Sequence, residues 1–228
     1  MIQIDDSGSG SLIGGTCIGA MRAESGEYAY EFIPIEYYRD KAFQTKKYLK
    51  KCSQIVFSLL ERLAHAAGEP LEICQGYMFE TAKKELERKG IAYTSTKIGE
   101  PLQSRIEETF QEYAMSLGLP LQYVKYTRYP LHFHRILRWV YADFHNRAPL
   151  CKTGWKSWKR YSSINVEIYH DVLYKSSYTC LKCGKEIIKG SRVKRLEYVS
   201  NCPNIIYLHE NCQAPVHRKL CRQHSSKA

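Results

Sequence analysis

Four residues towards the end of the chain have the types and spacing of a metal centre. Cys180 and Cys183 are two residues apart and followed by Gly184; His209 and Cys212 repeat that separation after 25 intervening residues. A Cys-x2-Cys turn aims two thiolates at one ion, and a second local pair closes a four-coordinate N/S shell. Four protein ligands leave no position open for substrate. The expected chemistry is therefore structural: one Zn2+ whose binding folds the segment around it. Cys202, His217, Cys221 and His224 lie in the same tail and compete for ligand roles. A second ion would need four convergent ligands, so one zinc is expected.

A different chemistry is suggested at the other end. Ile2 and Ile4 form a short β-branched run that ends in Asp5 and Asp6; a Ser/Gly loop follows, then a second apolar run through Leu12, Ile13, Cys17 and Ile18. Apolar runs broken by Gly and Ser read as a β-hairpin. Its two carboxylates either make turn hydrogen bonds or stand ready to hold a cation. The Ser-Gly-Ser-Gly stretch could also cradle a phosphate.

A first strand that carries a carboxylate to its end beside a tight Gly turn resembles the opening of the ribonuclease H-like superfamily. Within it the nearest likeness is to RuvC-type junction resolvases, which begin with an Ile-Asp-x-Gly-Ser pattern. The likeness spans residues 1–150 in element order and this hairpin in motif. It implies a mixed sheet with flanking helices, and three or four carboxylates around two divalent ions, Mg2+ or Mn2+, that promote phosphodiester hydrolysis. Carried over by position, Asp5 (with Asp6 in reserve) fills the first-strand role and Asp143 the last-helix role. The fourth strand departs from the pattern. The family's Glu position falls on Cys74, and Glu72, two residues earlier on the same strand face, serves only if the register moves. A Glu72 held by a nearby Arg or Lys is the plain alternative. The Cys-x2-Cys knuckle, a hairpin over Arg192–Val199 and Ile205–Leu208, and a His-x2-Cys at a helix start resemble a treble-clef finger.

The elements that must position these groups follow from periodicity. Glu27–Ile35 reads as a third strand ending near Pro34. Leu49, Cys52, Val56, Leu59, Leu60 and Leu63 give a helix from about Asp40 to Ala67 one apolar face. Leu71–Gly76 reads as a fourth strand, 78–89 as a short helix ended by Gly90, and 91–98 as β-prone. Ile106, Phe110, Tyr113 and Leu117 define a helix after Pro101. Leu121–Thr127 suggests a further strand, and Phe133, Ile136, Leu137, Val140 and Phe144 a last helix over 131–145. Residues 164–174 suggest one more strand. The predicted organisation is a ribonuclease H-like α/β domain (1–150), a basic aromatic linker (151–176) and a zinc-binding module (177–228).

Charge points to the partner. Of 34 Lys/Arg and 23 Asp/Glu in the chain, residues 151–228 hold 15 against 5, which leaves 19 against 18 for residues 1–150. A basic surface confined to one third of the chain suits nucleic acid or another polyanion. Lys152, Trp155, Lys156, Trp158, Lys159 and Arg160 interleave cations with aromatic rings, as phosphate contact and base stacking require. Docking of the two Trp on a core is an equal alternative. Apolar residues at 44% and charged residues at 25% are ordinary for a soluble globular chain. No apolar run reaches the ~20 residues of a membrane span, and the first residues lack a signal-peptide layout. A cytoplasmic protein is expected, with its nine cysteines as thiols or metal ligands. The expected function is a divalent-metal nuclease with a structural zinc finger. The alternative is a catalytically silent nucleic-acid-binding or adaptor protein of the same fold, and a phosphotransferase built on the Ser/Gly loop is a third class. Nothing in the sequence chooses between DNA and RNA or sets the oligomeric state, a dimer included.

Overall fold

Ile2 and Ile4 alternate with Gln3 and Asp5, and that period of two makes β1 (Ile2–Ser7) a strand with one apolar face. The computed structural model describes residues 1–124 and 131–214, together with the backbone of 221–224. It divides into two compact units, one of residues 1–117 with 152–155 and one of residues 118–151 with 156–228. These divisions fall elsewhere than the expected ones at 150 and 176.

In the first unit β1 pairs antiparallel with β2 (Thr16–Arg22), and β2 antiparallel with β3 (Tyr28–Ile33). A 3-10 turn and the short helix α1 (Asp40–Gln44) lead to α2 (Lys47–Arg62). The expected continuous helix from 40 to 67 is interrupted because Lys46 takes a left-handed φ of 52°, and it ends early where Ala64 takes φ 47°. The chain continues through β4 (Leu71–Cys74), α3 (Glu80–Arg88), β5 (Thr94–Thr96) and α4 (Leu102–Ser116). The strand order is β3-β2-β1-β4-β5, with β4 parallel to both β1 and β5.

Helices cover both faces of this mixed sheet. Tyr48, Leu49, Cys52, Ile55, Val56 and Leu59 of α2 share one core with Ile4, Ile18, Ala20 and Ile73. Gly19 points the other way, where a Cβ would lie 2.9 Å from Ile106 of α4. Asp5 pairs with Gly19, so Asp5 faces α4, whereas Asp6 pairs with Ile18 and faces α2.

The second unit opens with α5 (Leu121–Val124), a helical turn where a strand was expected. Pro120 precedes it, and the Tyr123 N–H donates to the Pro120 carbonyl at 2.8 Å, so local turn chemistry overrides the β-propensity of Tyr and Val. Residues 125–127 of that expected strand lie outside the described residues. The expected last helix is two pieces, α6 (Phe133–Ala142) and α7 (Phe144–Arg147), because Asp143 leaves helical geometry at φ −153°. Next come α8 (Lys156–Tyr161), β6 (Val166–Val172), β7 (Tyr178–Thr179), β8 (Glu186–Ile187), β9 (Arg192–Val199), β10 (Pro203–His209) and β11 (Cys221–His224). Strands β10-β9-β6-β11 form a second sheet, with β11 parallel to β6. The expected linker thus forms a helix and a central strand, and the tail residues Cys221 and His224 lie on β11. His217 lies outside the described residues. No disulfide joins the cysteines whose side chains are described. Among the described residues no helix is long and apolar enough to cross a membrane.

Candidate metal centre and acidic site

Strands β7 and β8 are joined by a tight turn that carries Cys180 and Cys183. The Gly184 N–H donates to the Cys180 carbonyl and the Cys180 N–H to the Lys185 carbonyl, both at 2.8 Å, and Gly184 takes the φ of 75° that the turn needs. His209 ends β10, and the Cys212 N–H donates back to its carbonyl at 3.0 Å. The four ligand atoms lie within 4.8 Å of one another. Cys180 Sγ is 3.8 Å from Cys212 Sγ; Cys183 Sγ and Cys212 Sγ are 3.3 and 3.9 Å from His209 Nδ1. A tetrahedral zinc with the usual Zn–S and Zn–N lengths has edges of about 3.6–3.8 Å, so the site fits that ion. His209 Nε2 sits 3.0 Å from the Glu186 carbonyl, which makes it the protonated nitrogen and leaves Nδ1 to face the metal. Burial raises the Cys180 thiol, but N–H groups of Cys183, His209 and Lys182 outweigh it and hold Cys180 below the ordinary thiol range. This Cys3His cluster could hold a metal such as zinc. Among the described residues Cys202 does not join it.

The knuckle is tied to the helices before it. Arg147 is buried; its guanidinium donates to the carbonyls of Trp139 (2.6 Å), Leu181 (2.7 Å) and Lys182 (2.8 Å) and lies over the Trp139 ring. Asp143 accepts from Asn146 at 3.0 Å and pairs with Lys182 at 3.3 Å. The structure therefore places this expected catalytic carboxylate in the second unit, braced against the metal knuckle and committed to a cation.

Asp5 and Asp6 end β1 on opposite faces. The β1–β4 register, Ile4 with Ile73, sets Asp5 level with Cys74. Burial raises the Asp5 carboxyl; the Cys74 thiol and the Asp6 N–H (2.8 Å) oppose that shift, and the charge of Glu107 on α4 adds to it. Burial first, then the charge and hydrogen bond of Asp5, push Cys74 up to about 11 against the Gly76 N–H, so it is a neutral thiol at pH 7. Glu72 lies two pairs lower, opposite Gln3, whose Nε2 donates to it at 2.8 Å. Its partner is an amide rather than the Arg or Lys considered from sequence. Of the expected carboxylates only Asp5 stands where β1, β4 and α4 converge. Glu107 was missed because it is an exposed residue at the border of the Ile106/Phe110 stripe, with nothing in local periodicity to distinguish it.

Asp6 is pushed up to about 6 by burial and the Asp5 charge, against Ser9 and Lys152. A carboxylate raised in the folded state contributes stability while protonated and loses it as pH climbs from about 4 towards 6. Asp6→Asn should therefore raise the melting temperature at pH 7, since it relieves a cost of up to roughly 3 kcal/mol implied by the rise to about 6, and flatten the dependence between pH 4 and 6. Melting curves at pH 4, 5, 6 and 7 check this; a mutant destabilised throughout would make Asp6 a turn-forming residue instead.

The aromatic basic stretch is split by burial. Lys152 is fully buried and Trp158 is 8% exposed, stacked parallel to Phe144 at 5.9 Å. Neither side chain is presented for nucleic acid, and the packing alternative describes Trp158. Trp155 is half-buried, while Lys156, Lys159 and Arg160 are exposed along α8. The Ser/Gly loop turns its Gly8 and Ser9 carbonyls towards Lys152 rather than N–H groups towards a phosphate. No family model matches the sequence, and no curated protein matches it.

Proposed function

We propose that the chain acts on nucleic acid, with the first unit a ribonuclease H-like domain and the second a zinc-stabilised basic module. The observation that carries this reading is the first unit's sheet. An antiparallel β1-β2-β3 meander continues into parallel β4 and β5, with Asp5 at the end of the central strand facing a helix that bears Glu107. A buried carboxylate raised by burial and by the nearby Glu107 charge is an unbalanced negative site that a divalent cation would neutralise. Asp5 and Glu107 are hard oxygen ligands suited to Mg2+ or Mn2+, whereas Cys74, held as a neutral thiol, is not a ligand. The ion supplies charge stabilisation for phosphodiester cleavage. Asp5 would hold it, and the Cys74 thiol would orient the Asp5 carboxylate.

The silent-adaptor reading is favoured by the same residues counted differently: Cys74 is no carboxylate, Glu72 is committed to Gln3, and Asp143 to Lys182. Incubation of the full chain with branched and linear DNA and RNA in Mn2+ separates the two. The nuclease reading expects metal-dependent cleavage that EDTA abolishes; binding without cleavage of any substrate would leave the adaptor. Binding should fall steeply with salt. Replacing Lys156, Lys159 and Arg160 with Ala should flatten the log–log salt slope by about 0.7–0.9 for each phosphate that is no longer neutralised. An unchanged slope would take α8 out of the interface.

A further inference from the structure

The chain leaves the first unit at Leu117 and returns for four residues, Lys152–Trp155. That return inserts a fully buried ammonium beneath the β1–β2 loop. Lys152 Nζ donates to the Gly8 carbonyl at 2.6 Å and the Ser9 carbonyl at 3.3 Å, with the Thr16 hydroxyl at 3.5 Å. The rings of Tyr38 and Trp155 lie 4.5 and 5.2 Å away. Backbone bonds fix the strap: the Lys152 N–H to Leu12 at 2.8 Å and the Gly154 N–H to Tyr38 at 2.9 Å. Gly154 admits no side chain, since a Cβ would stand 2.6 Å from Phe43 and 2.8 Å from the Tyr38 carbonyl.

A lysine is this deeply buried only when its N–H groups are used, because an unpaired buried ammonium is strongly unfavourable. Here burial pulls it down to about 7 while the Asp6 charge holds it up. The loop it grips is fixed from the opposite face as well. Gly8 takes φ +80°, and a Cβ there would overlap Phe110 of α4 at 1.9 Å. The turn that follows Asp5 and Asp6 is thus clamped between Phe110 and Lys152, neither of which was chosen by the local sequence.

We propose that Lys152 is a positioning residue: it holds the Gly8–Ser9 turn so that the end of β1 presents Asp5 to a divalent ion. This rests on the reading of Asp5 as an ion ligand. Lys152 touches no substrate and acts only through the loop.

The test compares the full-length wild type with Lys152→Met, which keeps the stem's volume without a donor, and with Lys152→Gln, which keeps a shorter donor. Leu59→Ala, at a buried position of α2, serves as a destabilised control. Amide exchange over residues 7–11 reads the clamp without metal, and Mn2+ titration by electron paramagnetic resonance reads its consequence. Lys152→Met should lose protection in that loop and bind Mn2+ at least tenfold more weakly, with Lys152→Gln between it and wild type and Leu59→Ala close to wild type. Equal Mn2+ affinity and loop protection in Lys152→Met and wild type would overturn the proposal, as would equal losses in Leu59→Ala. Should Lys152→Met fail to fold, the comparison of Lys152→Gln with Leu59→Ala decides by the same criteria. A wild type that binds no Mn2+ at Asp5 overturns the parent reading and the presentation role with it, whatever the loop protection shows.

Discussion

Replacing Cys180 with Ser is expected to release the metal and unfold the knuckle from Tyr178 to Ile187. The strands that hold the knuckle, β7 and β8, are two residues each, and only Cys180, Leu181 and Ile187 are buried around the turn. So small an apolar cluster cannot offset the ordering entropy of the turn; a bound zinc adds apparent stabilisation of about 10–16 kcal/mol. Loss should spread beyond the ligands. Two of the three carbonyls that Arg147 donates to, those of Leu181 and Lys182, belong to the knuckle. A buried cation stripped of its partners costs about 3–5 kcal/mol, so α6 and α7 should lose exchange protection as well. Elemental analysis should find one zinc per wild-type chain and none in Cys180→Ser. A mutant that keeps a full equivalent of zinc, or a metal-free wild type with intact protection at Leu181 and Lys182, would show that no ion holds the knuckle together.

Asp5→Asn is the second large effect. The amide keeps the shape and can still meet Cys74, but it surrenders the charge that would hold a cation, so Mn2+-dependent cleavage should drop at least 10²-fold, on the scale of one lost electrostatic group in an active site. Stability should move the other way. Burial and the Glu107 charge already raise Asp5, so its ionised form is a cost to the folded state at neutral pH. Metal-free Asp5→Asn should therefore melt at or above the wild-type temperature, while wild type alone gains on addition of Mn2+. A destabilised mutant beside a wild type with no Mn2+-dependent shift would favour the silent adaptor.

Local pattern carried much of the fold. The Ile2/Ile4 alternation, the Leu49–Leu63 stripe and the Ile106/Phe110 stripe each sit on the element that their period predicts, and the two ligands within each pair lie close because only two residues separate them in the chain. What local pattern missed depends on closure of distant segments. Lys152 looks like a surface cation among Trp and Lys, yet it is buried against a loop more than a hundred residues earlier. Asp143 flanks an apolar helix face, as a site carboxylate would, but that helix packs with the knuckle. Glu72 is committed to Gln3 by a parallel register that no periodicity reveals. The break at Lys46 was invisible because lysine gives no signal for a left-handed backbone.

The most direct measurement is the position of Mn2+ by anomalous scattering in crystals of the full chain soaked with the ion, wild type beside Asp5→Asn. The predicted result is a peak at coordination distance, about 2.2 Å, from an Asp5 carboxylate oxygen in wild type, and no peak there in Asp5→Asn. Peaks confined to other surfaces, or an identical peak retained in Asp5→Asn, would contradict a cation site at Asp5.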